Sequence, residues 1–243
     1  MPDGPAPAPA VQKLRLRYAK RGRLRFSSHR DFQRALERAL RRAAVPMAYS
    51  AGFTPHPKVS YANSAPTGTA SEAEYVELSV TERCDPEAVR EALDRSLPPG
   101  LDVLQVVEAD AGSLADRLEA SEWKIVLPGV TRAAATAALE QLMARDAVEV
   151  ERLFKNGPRR FDARGAVVHA RVEDVDQDDC AILQVVVRHT TPAVRPDDVL
   201  AALRVVAQLV PPSPPQVTRL AQGPLSDAGT VTDPLATVDA GGA

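Results

Sequence analysis

QKLRLRYAKRGRLRFSSHRDFQRALERALRRAAV, residues 12–45, changes its period part-way through. Over residues 12–18 charged and apolar side chains alternate, so Leu14, Leu16 and Tyr18 face one way and Lys13, Arg15 and Arg17 the other. That is the period of a half-exposed strand. After the Arg21–Gly22 turn, Leu24 and Phe26 read as its continuation. Over residues 29–44 the apolar spacing becomes helical: Phe32, Ala35, Leu36, Ala39, Leu40 and Ala43 share one side, and Arg30, Arg34, Arg38 and Arg41 recur along another. Ser28 stands at the N-cap with Asp31 three residues on, a capping-box pair.

Pro46 ends that helix. Working outward, residues 59–62 predict a short strand and residues 74–80, EYVELSV, a cleaner alternating one. Residues 86–97 predict a helix with Asp85 as N-cap and Pro86 at its first position, and residues 101–109 a strand. The order β, α, β, β, α, β is the split βαβ, or ferredoxin-like, unit. The second half repeats it, with strands expected at 123–127, 148–154, 181–188 and 216–220 and helices at 131–144 and 197–210. Residues 161–174 fit no single template. The expected fold class is α+β: two tandem ferredoxin-like (βαββαβ) domains, at 12–110 and 121–222, between disordered tails at 1–11 and 223–243. Both tails carry little large apolar surface to bury.

The 243-residue chain is 26% charged and 44% hydrophobic, the balance of a globular protein. No segment approaches the roughly 20 apolar residues of a membrane span, so the cytoplasm is the expected location. Cys84 and Cys180 stand far apart and provide neither a disulfide framework nor the Cys set of an iron-sulfur cluster. The formal net charge of −2 conceals an uneven distribution. Residues 13–42 carry twelve Lys and Arg against Asp31 and Glu37, which is +10 and leaves −12 for the remainder. On the helix, Glu partners at i, i+4 are nearly missing, so its arginines repel one another. A polyanion relieves that repulsion and releases condensed counterions in doing so.

The stretch YSAGFTPHPKVSYANSAPTG, residues 49–68, is the second functional candidate. Pro55 and Pro57 fix their own φ and hold Thr54 and His56 out of the helical basin, and Gly52 can supply a positive φ. The loop is stiff, which reduces the entropy lost on binding. Ferredoxin-like sheets frequently accept single-stranded RNA by stacking bases on aromatic rings while Arg and Lys hold phosphates. The candidate RNA or phosphate contacts are Arg25, Arg30, Arg34, Arg38, Arg41 and Lys58, extended by Lys155, Arg159 and Arg160 around the Asn156–Gly157–Pro158 turn. The candidate substrate or nucleotide loop comprises His29, Tyr49, Gly52, Phe53, Pro55, His56 and Pro57, with Glu72 and Glu74. Glu72 and Glu74, two apart on one strand, share a face and are expected to pair with the Arg helix. A metal held by His29 and His56 with Asp31, Glu72 or Glu74 is the competing reading; capping already accounts for Asp31, and no metal or cofactor is expected.

The run from Arg25 to Glu74 closely resembles the radical-SAM-linked domain family of unknown function, whose members are fused behind radical SAM enzymes or stand alone. The motifs carrying the resemblance are Ser28-His29-x-Asp31, the Gly52-Phe53-x-Pro55-His56-Pro57-Lys58 stretch, and Gly68, Ser71, Glu72 and Glu74. The resemblance implies a radical SAM enzyme as partner. Without a cluster-binding Cys set, this chain is expected not to perform the radical chemistry itself. RRFDARGAVVHA, residues 159–170, also resembles, faintly, the nucleophile segment of tandem ferredoxin-like pseudouridine synthases, which would make Asp162 catalytic. The leading expectation is a non-enzymatic accessory protein that binds tRNA or rRNA on a basic face. An RNA-modifying enzyme, metal-dependent or Asp162-dependent, and a protein-docking module are the alternatives.

Overall fold

The computed structural model describes residues 7–173 and 179–236; of the two expected tails, residues 1–6 and 237–243 lie outside the described residues. Among the described residues there are four α-helices and ten strands, an α+β architecture dominated by sheet. No described helix is long and apolar enough to cross a membrane. The chain divides into two compact units. One contains the residues up to Arg117 together with those from Pro234 onward, and the other is Leu118–Asp233.

The first unit consists of β1 (Gln12–Lys20), α1 (His29–Arg42), β2 (Val59–Ala62), β3 (Ala70–Val80), α2 (Pro86–Ser96) and β4 (Leu101–Glu108). Its strands lie in the order β4-β1-β3-β2, and every neighbouring pair is antiparallel. Leu14, Leu16 and Tyr18 of β1 and Val76 and Leu78 of β3 pack in one core with Phe32, Leu36 and Leu40 of α1 and Val89 and Leu93 of α2. Both helices start as their caps require: Ser28 Oγ accepts from Asp31 N at 3.2 Å, Asp31 Oδ2 accepts from Ser28 N at 3.1 Å, and Asp85 Oδ1 accepts from Glu87 N at 3.2 Å. The Ser28 hydrogen bonds hold the Asp31 carboxyl below its ordinary range.

Two local expectations are corrected here. Leu24 and Phe26 do not prolong β1; Gly22–Phe26 is a 3-10 turn, entered through Gly22 at φ 54° and closed by Leu24 N donating to Arg21 O at 3.0 Å. Nor is the charged face of β1 open to solvent along its length: Lys13 is exposed, but Arg15 at its middle is not. Arg15 is 1% exposed and donates to Glu77 Oε2 (3.1 Å), Asp110 Oδ1 (2.5 Å) and Gly112 O (2.5 Å). Alternation gave each side chain its face, but the segment after β4 brings Asp110 and Gly112 over the second face, a long-range event that period alone cannot encode. Burial raises the Glu77 carboxyl, yet hydrogen bonds from Lys13 and Arg15 outweigh it and leave the group below its ordinary value.

The second unit consists of β5 (Ala120–Pro128), α3 (Arg132–Met143), β6 (Glu149–Phe154), β7 (Gly157–Asp162), β8 (Val167–Val172), β9 (Cys180–Arg188), α4 (Pro196–Ala207) and β10 (Gln216–Gly223). Its main sheet runs β10-β5-β9-β8, again antiparallel throughout. Trp123, Ile125, Leu183 and Val185 meet Ala138, Leu142, Val199 and Leu203 in its core. The strand expected at 148–154 forms, but outside this sheet: β6 pairs with β7 as a two-stranded hairpin. The place in the sheet goes to β8, inside the stretch that fitted no template. The local Lys155–Asn156 turn, followed by Gly157 at φ 105°, closes the hairpin before any long-range pairing is needed.

Within the tail expected from residue 223, the described residues 223–236 are ordered. Leu225 and Val231 form a bridge, Ser226 N donates to Thr230 O at 2.9 Å, and Leu235 is buried. Polar turn residues satisfy one another here, so the segment holds its shape with little apolar content.

His189 ties the start of this unit together: Nδ1–H donates to Leu118 O at 2.6 Å, and Nε2 lies 2.8 Å from Ser121 Oγ. Burial pushes its pKa below the ordinary value, the Leu118 carbonyl opposes that, and the charge of Arg219 adds to it. A histidine with a depressed folded-state pKa contributes stability that is complete above the unfolded value, about 6.5, and declines as pH falls toward the folded value. Thermal melts of the wild type and His189→Gln at pH 7.5 and 5.5 should therefore show the smaller acid-induced loss in the variant. Equal losses would remove this linkage.

Candidate functional site

The buried residues Phe32, Leu36, Ala39 and Leu40 fix the orientation of α1 and turn Arg30, Arg34, Arg38 and Arg41 outward. All four are exposed, and none makes a hydrogen bond or ion pair among the described residues. The neighbouring basic side chains differ. Lys13 and Arg15 are bound to Glu77, Arg17 donates to Glu72 O at 2.9 Å, and Arg42 donates to Ser96 O at 3.1 Å. The basic groups of residues 13–42 thus separate into strand residues bound by the fold and a helix whose four outward arginines make no ion pair among the described residues. Arg25 sits beside that helix in the 3-10 turn, its guanidinium 4.8 Å from the centre of the exposed Phe26 ring.

Residues 49–58 form a narrow finger. Ala48 N donates to Ser79 O and Lys58 N to Ala48 O, both at 2.8 Å, so its base is joined to β3. Higher up, Tyr49 bridges Pro57, Ser50 N donates to His56 O at 2.9 Å, and His56 N donates to Ser50 Oγ at 3.1 Å. Gly52 adopts φ 118° at the tip. Phe53 is fully exposed, Tyr49, Pro55, His56 and Lys58 are exposed, and Pro57 is half-buried. The Phe53 ring is thus held in solvent by a hydrogen-bonded finger.

Among the described residues, His29 and His56 share no hydrogen bond or ring contact. His29 Nδ1 lies 3.2 Å from Ser64 Oγ, its Nε2 lies 3.0 Å from Gln33 Nε2, and its ring meets Tyr61 edge-on at 4.8 Å. Tyr61 in turn stands against Phe32, which stacks on Tyr18 at 4.2 Å. Burial first, and Glu37 second, push the Tyr61 hydroxyl up to about 12. Among the described residues, no group of three or more His, Cys, Asp and Glu is placed to hold a metal.

The two glutamates expected to pair with the Arg helix are used elsewhere. Glu72 receives both Nε (2.7 Å) and Nη2 of Arg21, whose Nη1 reaches Asp102 at 2.7 Å. The Glu72 hydrogen bond is the main reason that the Arg21 pKa is raised. Glu74 is 1% exposed and accepts from Ala65 N at 3.0 Å, close to where the buried Lys20 ammonium donates to Ala65 O (3.3 Å) and Pro66 O (3.4 Å). Glu72 anchors the turn before α1, and Glu74 anchors the chain entering β3.

In the second unit Lys155, Arg159 and Arg160 project from the β6–β7 hairpin. The sequence reading missed the stack beneath them. The Arg152 guanidinium lies 4.6 Å from the Phe154 ring centre and 4.8 Å from that of Phe161, and Arg159 lies 5.4 Å from Phe154. Arg152 is pinned by Asp198 and by Ala193 O at 3.1 Å. An Arg two residues before a Phe on each strand, Arg152 with Phe154 and Arg159 with Phe161, carried that signal, since cross-strand pairing brings 152 opposite 159. Asp162 accepts from Val148 N (2.9 Å), Arg164 N (2.9 Å) and Gly165 N (3.0 Å). A carboxylate receiving three backbone N–H groups shapes the turn into β8.

No curated protein matches the chain. Residues 13–196 match the family described as uncharacterized protein conserved in bacteria (DUF2344), a span that takes in the first unit from β1 onward, the finger at 49–58 and the Arg-Phe hairpin. The chain therefore belongs to the DUF2344 family.

Proposed function

We propose that this is an accessory RNA-binding protein of the cytoplasm, built of two ferredoxin-like units and working beside a radical SAM enzyme. The observation that carries the RNA reading is the exposed Arg30, Arg34, Arg38 and Arg41 series on one rigid helix, uncompensated among the described residues while nearby arginines are paired internally. Guanidinium groups fixed on a helix suit phosphates because their donors are already ordered and the counterions they displace are released. The exposed Phe53 at the tip of the finger, the Arg25–Phe26 pair and the Arg–Phe stack of the hairpin add surfaces on which unstacked bases can lie. The ferredoxin-like reading is supported by the sheet order of each unit, in which the last strand is followed by the first, third and second. The radical SAM partnership rests on the resemblance of the Ser28-His29-x-Asp31 and Gly52–Lys58 motifs. In this reading the chain positions RNA and leaves the chemistry to its partner.

Retention of single-stranded tRNA and rRNA fragments tests the central site. Four neutralised phosphates give a log–log salt slope of roughly −3, so affinity should fall about 50-fold between 50 and 200 mM salt. Arg34→Glu with Arg38→Glu should roughly halve that slope and abolish retention at the higher salt, with an unchanged melting curve because both side chains are exposed. Undiminished retention would refute the helix as the RNA site.

Phe53→Ala should leave stability within about 0.5 kcal/mol of the wild type, because the ring packs on nothing, yet weaken binding by about 1–3 kcal/mol. Unchanged affinity would limit the finger to a non-stacking role.

A further inference from the structure

A cavity of about 260 Å³ lies on the second unit's main sheet, on the face opposite the core. Strand register explains its lining. His169 of β8 stands opposite Val186 of β9, and Val186 opposite Glu122 of β5; one step along, Arg171 stands opposite Gln184 and Gln184 opposite Lys124. Trp123, Leu183 and Val185 alternate with these residues and point into the core. The turn at residues 228–231 closes the cavity from above. That turn is self-supporting: Gly229 N donates to Ser226 O at 2.9 Å, and Ser226 Oγ lies 2.7 Å from Thr230 Oγ1.

What distinguishes the cavity is unused hydrogen-bonding capacity. Lys124 is taken by Glu173 at 3.4 Å. The side chains of Glu122, His169, Arg171 and Gln184 make no hydrogen bond or ion pair among the described residues, and the Gln184 carboxamide oxygen is buried without a donor. A buried acceptor left in that state is destabilising, and such groups in native proteins normally have partners. Glu122 and Arg171 stand on a diagonal, two strand spacings apart and two residues along, roughly 12 Å between backbones, so a ligand over the central strand meets Glu122 at one end, Arg171 at the other and the Gln184 oxygen between them.

We infer that this cavity binds a single guanine base. Its volume is below the roughly 300 Å³ at which pockets for drug-sized ligands begin, which suits one planar base. Guanine presents N1–H and the N2 amine as adjacent donors for Glu122 and the Gln184 oxygen. Its O6 and N7 form an acceptor pair that a guanidinium such as Arg171 reads bidentately. The His169 ring offers a stacking surface. Adenine and cytosine lack the ring N–H beside an amine, and uracil lacks the amine. The base can come from a free guanine nucleotide or from an unstacked guanosine in RNA; the second source rests on the RNA reading above, the first does not.

Calorimetric titration of the full chain with the four nucleoside monophosphates tests the cavity alone. Filter retention of an oligo-A hexamer, and of the same hexamer with one central G, separates the two sources. Guanosine monophosphate should bind at least 10-fold more tightly than the other three, and Glu122→Gln and, separately, Gln184→Met should each remove at least 10-fold of that affinity. A preference for the G-containing hexamer assigns the cavity to RNA, whereas monophosphate binding without retention of either hexamer assigns it to free nucleotide and refutes the RNA reading alone. Equal retention of both hexamers, together with no guanine preference among the monophosphates, overturns the cavity proposal and leaves the phosphate track standing. Guanine affinity that survives both substitutions also overturns it.

Discussion

The buried guanidinium of Arg15 is the constraint around which the first unit is arranged. A fully desolvated charge is tolerated only when charged and hydrogen-bonding partners surround it, and losing one partner typically destabilises by about 3–5 kcal/mol. Arg15 finds Glu77 across the β1–β3 pair and Asp110 and Gly112 in the segment leaving β4. Asp110 is shared with Arg117, at 2.7 Å, and the hydrogen bond and charge of Arg117, followed by the charge of Arg15, hold its carboxyl below the ordinary range. Strand pairing, the exit from the sheet and the end of the unit are thereby coupled through one side chain. Arg21 repeats the arrangement at the strand's other end with Glu72 and Asp102.

This internal pairing determines which positive charges remain outside. The acids that would otherwise offset a basic segment are consumed by β1 and its flanking turn, while α1 keeps its arginines on the face turned away from Phe32 and Leu36. Like charges at i and i+4 on a helix destabilise it by a few tenths of a kcal/mol per pair. The capping box and the buried apolar face hold α1 in spite of that repulsion. A helix kept folded by its hidden face can carry a row of like charges on its outer face, and that outer face is the one the proposed RNA binding uses.

The elements whose causes are local were readable in the sequence. The β1 alternation, the Ser28–Asp31 box, the Asp85–Pro86 helix start and the Gly52–Lys58 finger each follow from neighbouring residues. The misread parts depended on distant contacts. β8 was obscured because the register shifts between Val167 and His169, which breaks the period that would mark a strand. Glu74 lies on the strand face predicted for it, but burial against the chain at Ala65 came from a turn nine residues back. The cavity lining was invisible for the same reason: Glu122, Arg171 and Gln184 become neighbours only through the register of three strands.

A net charge of −2 is compatible with an anion-binding helix because the relevant range is short. At 0.1 M salt the screening length is about 10 Å. Successive arginines four residues apart on α1 are separated by about 6 Å along the axis, within that range, and the whole series from Arg30 to Arg41 spans about 16 Å. The arginines therefore act on an approaching phosphate together, while exposed acids more than a screening length away contribute little. The overall charge limits long-range attraction to any polyanion, so association depends on close contact with the helix. In the proposed RNA binding, selectivity falls to elements that touch the bases, and a rigid finger ending in an exposed Phe53 suits that requirement better than a flexible one, because little order remains to be imposed when the contact forms.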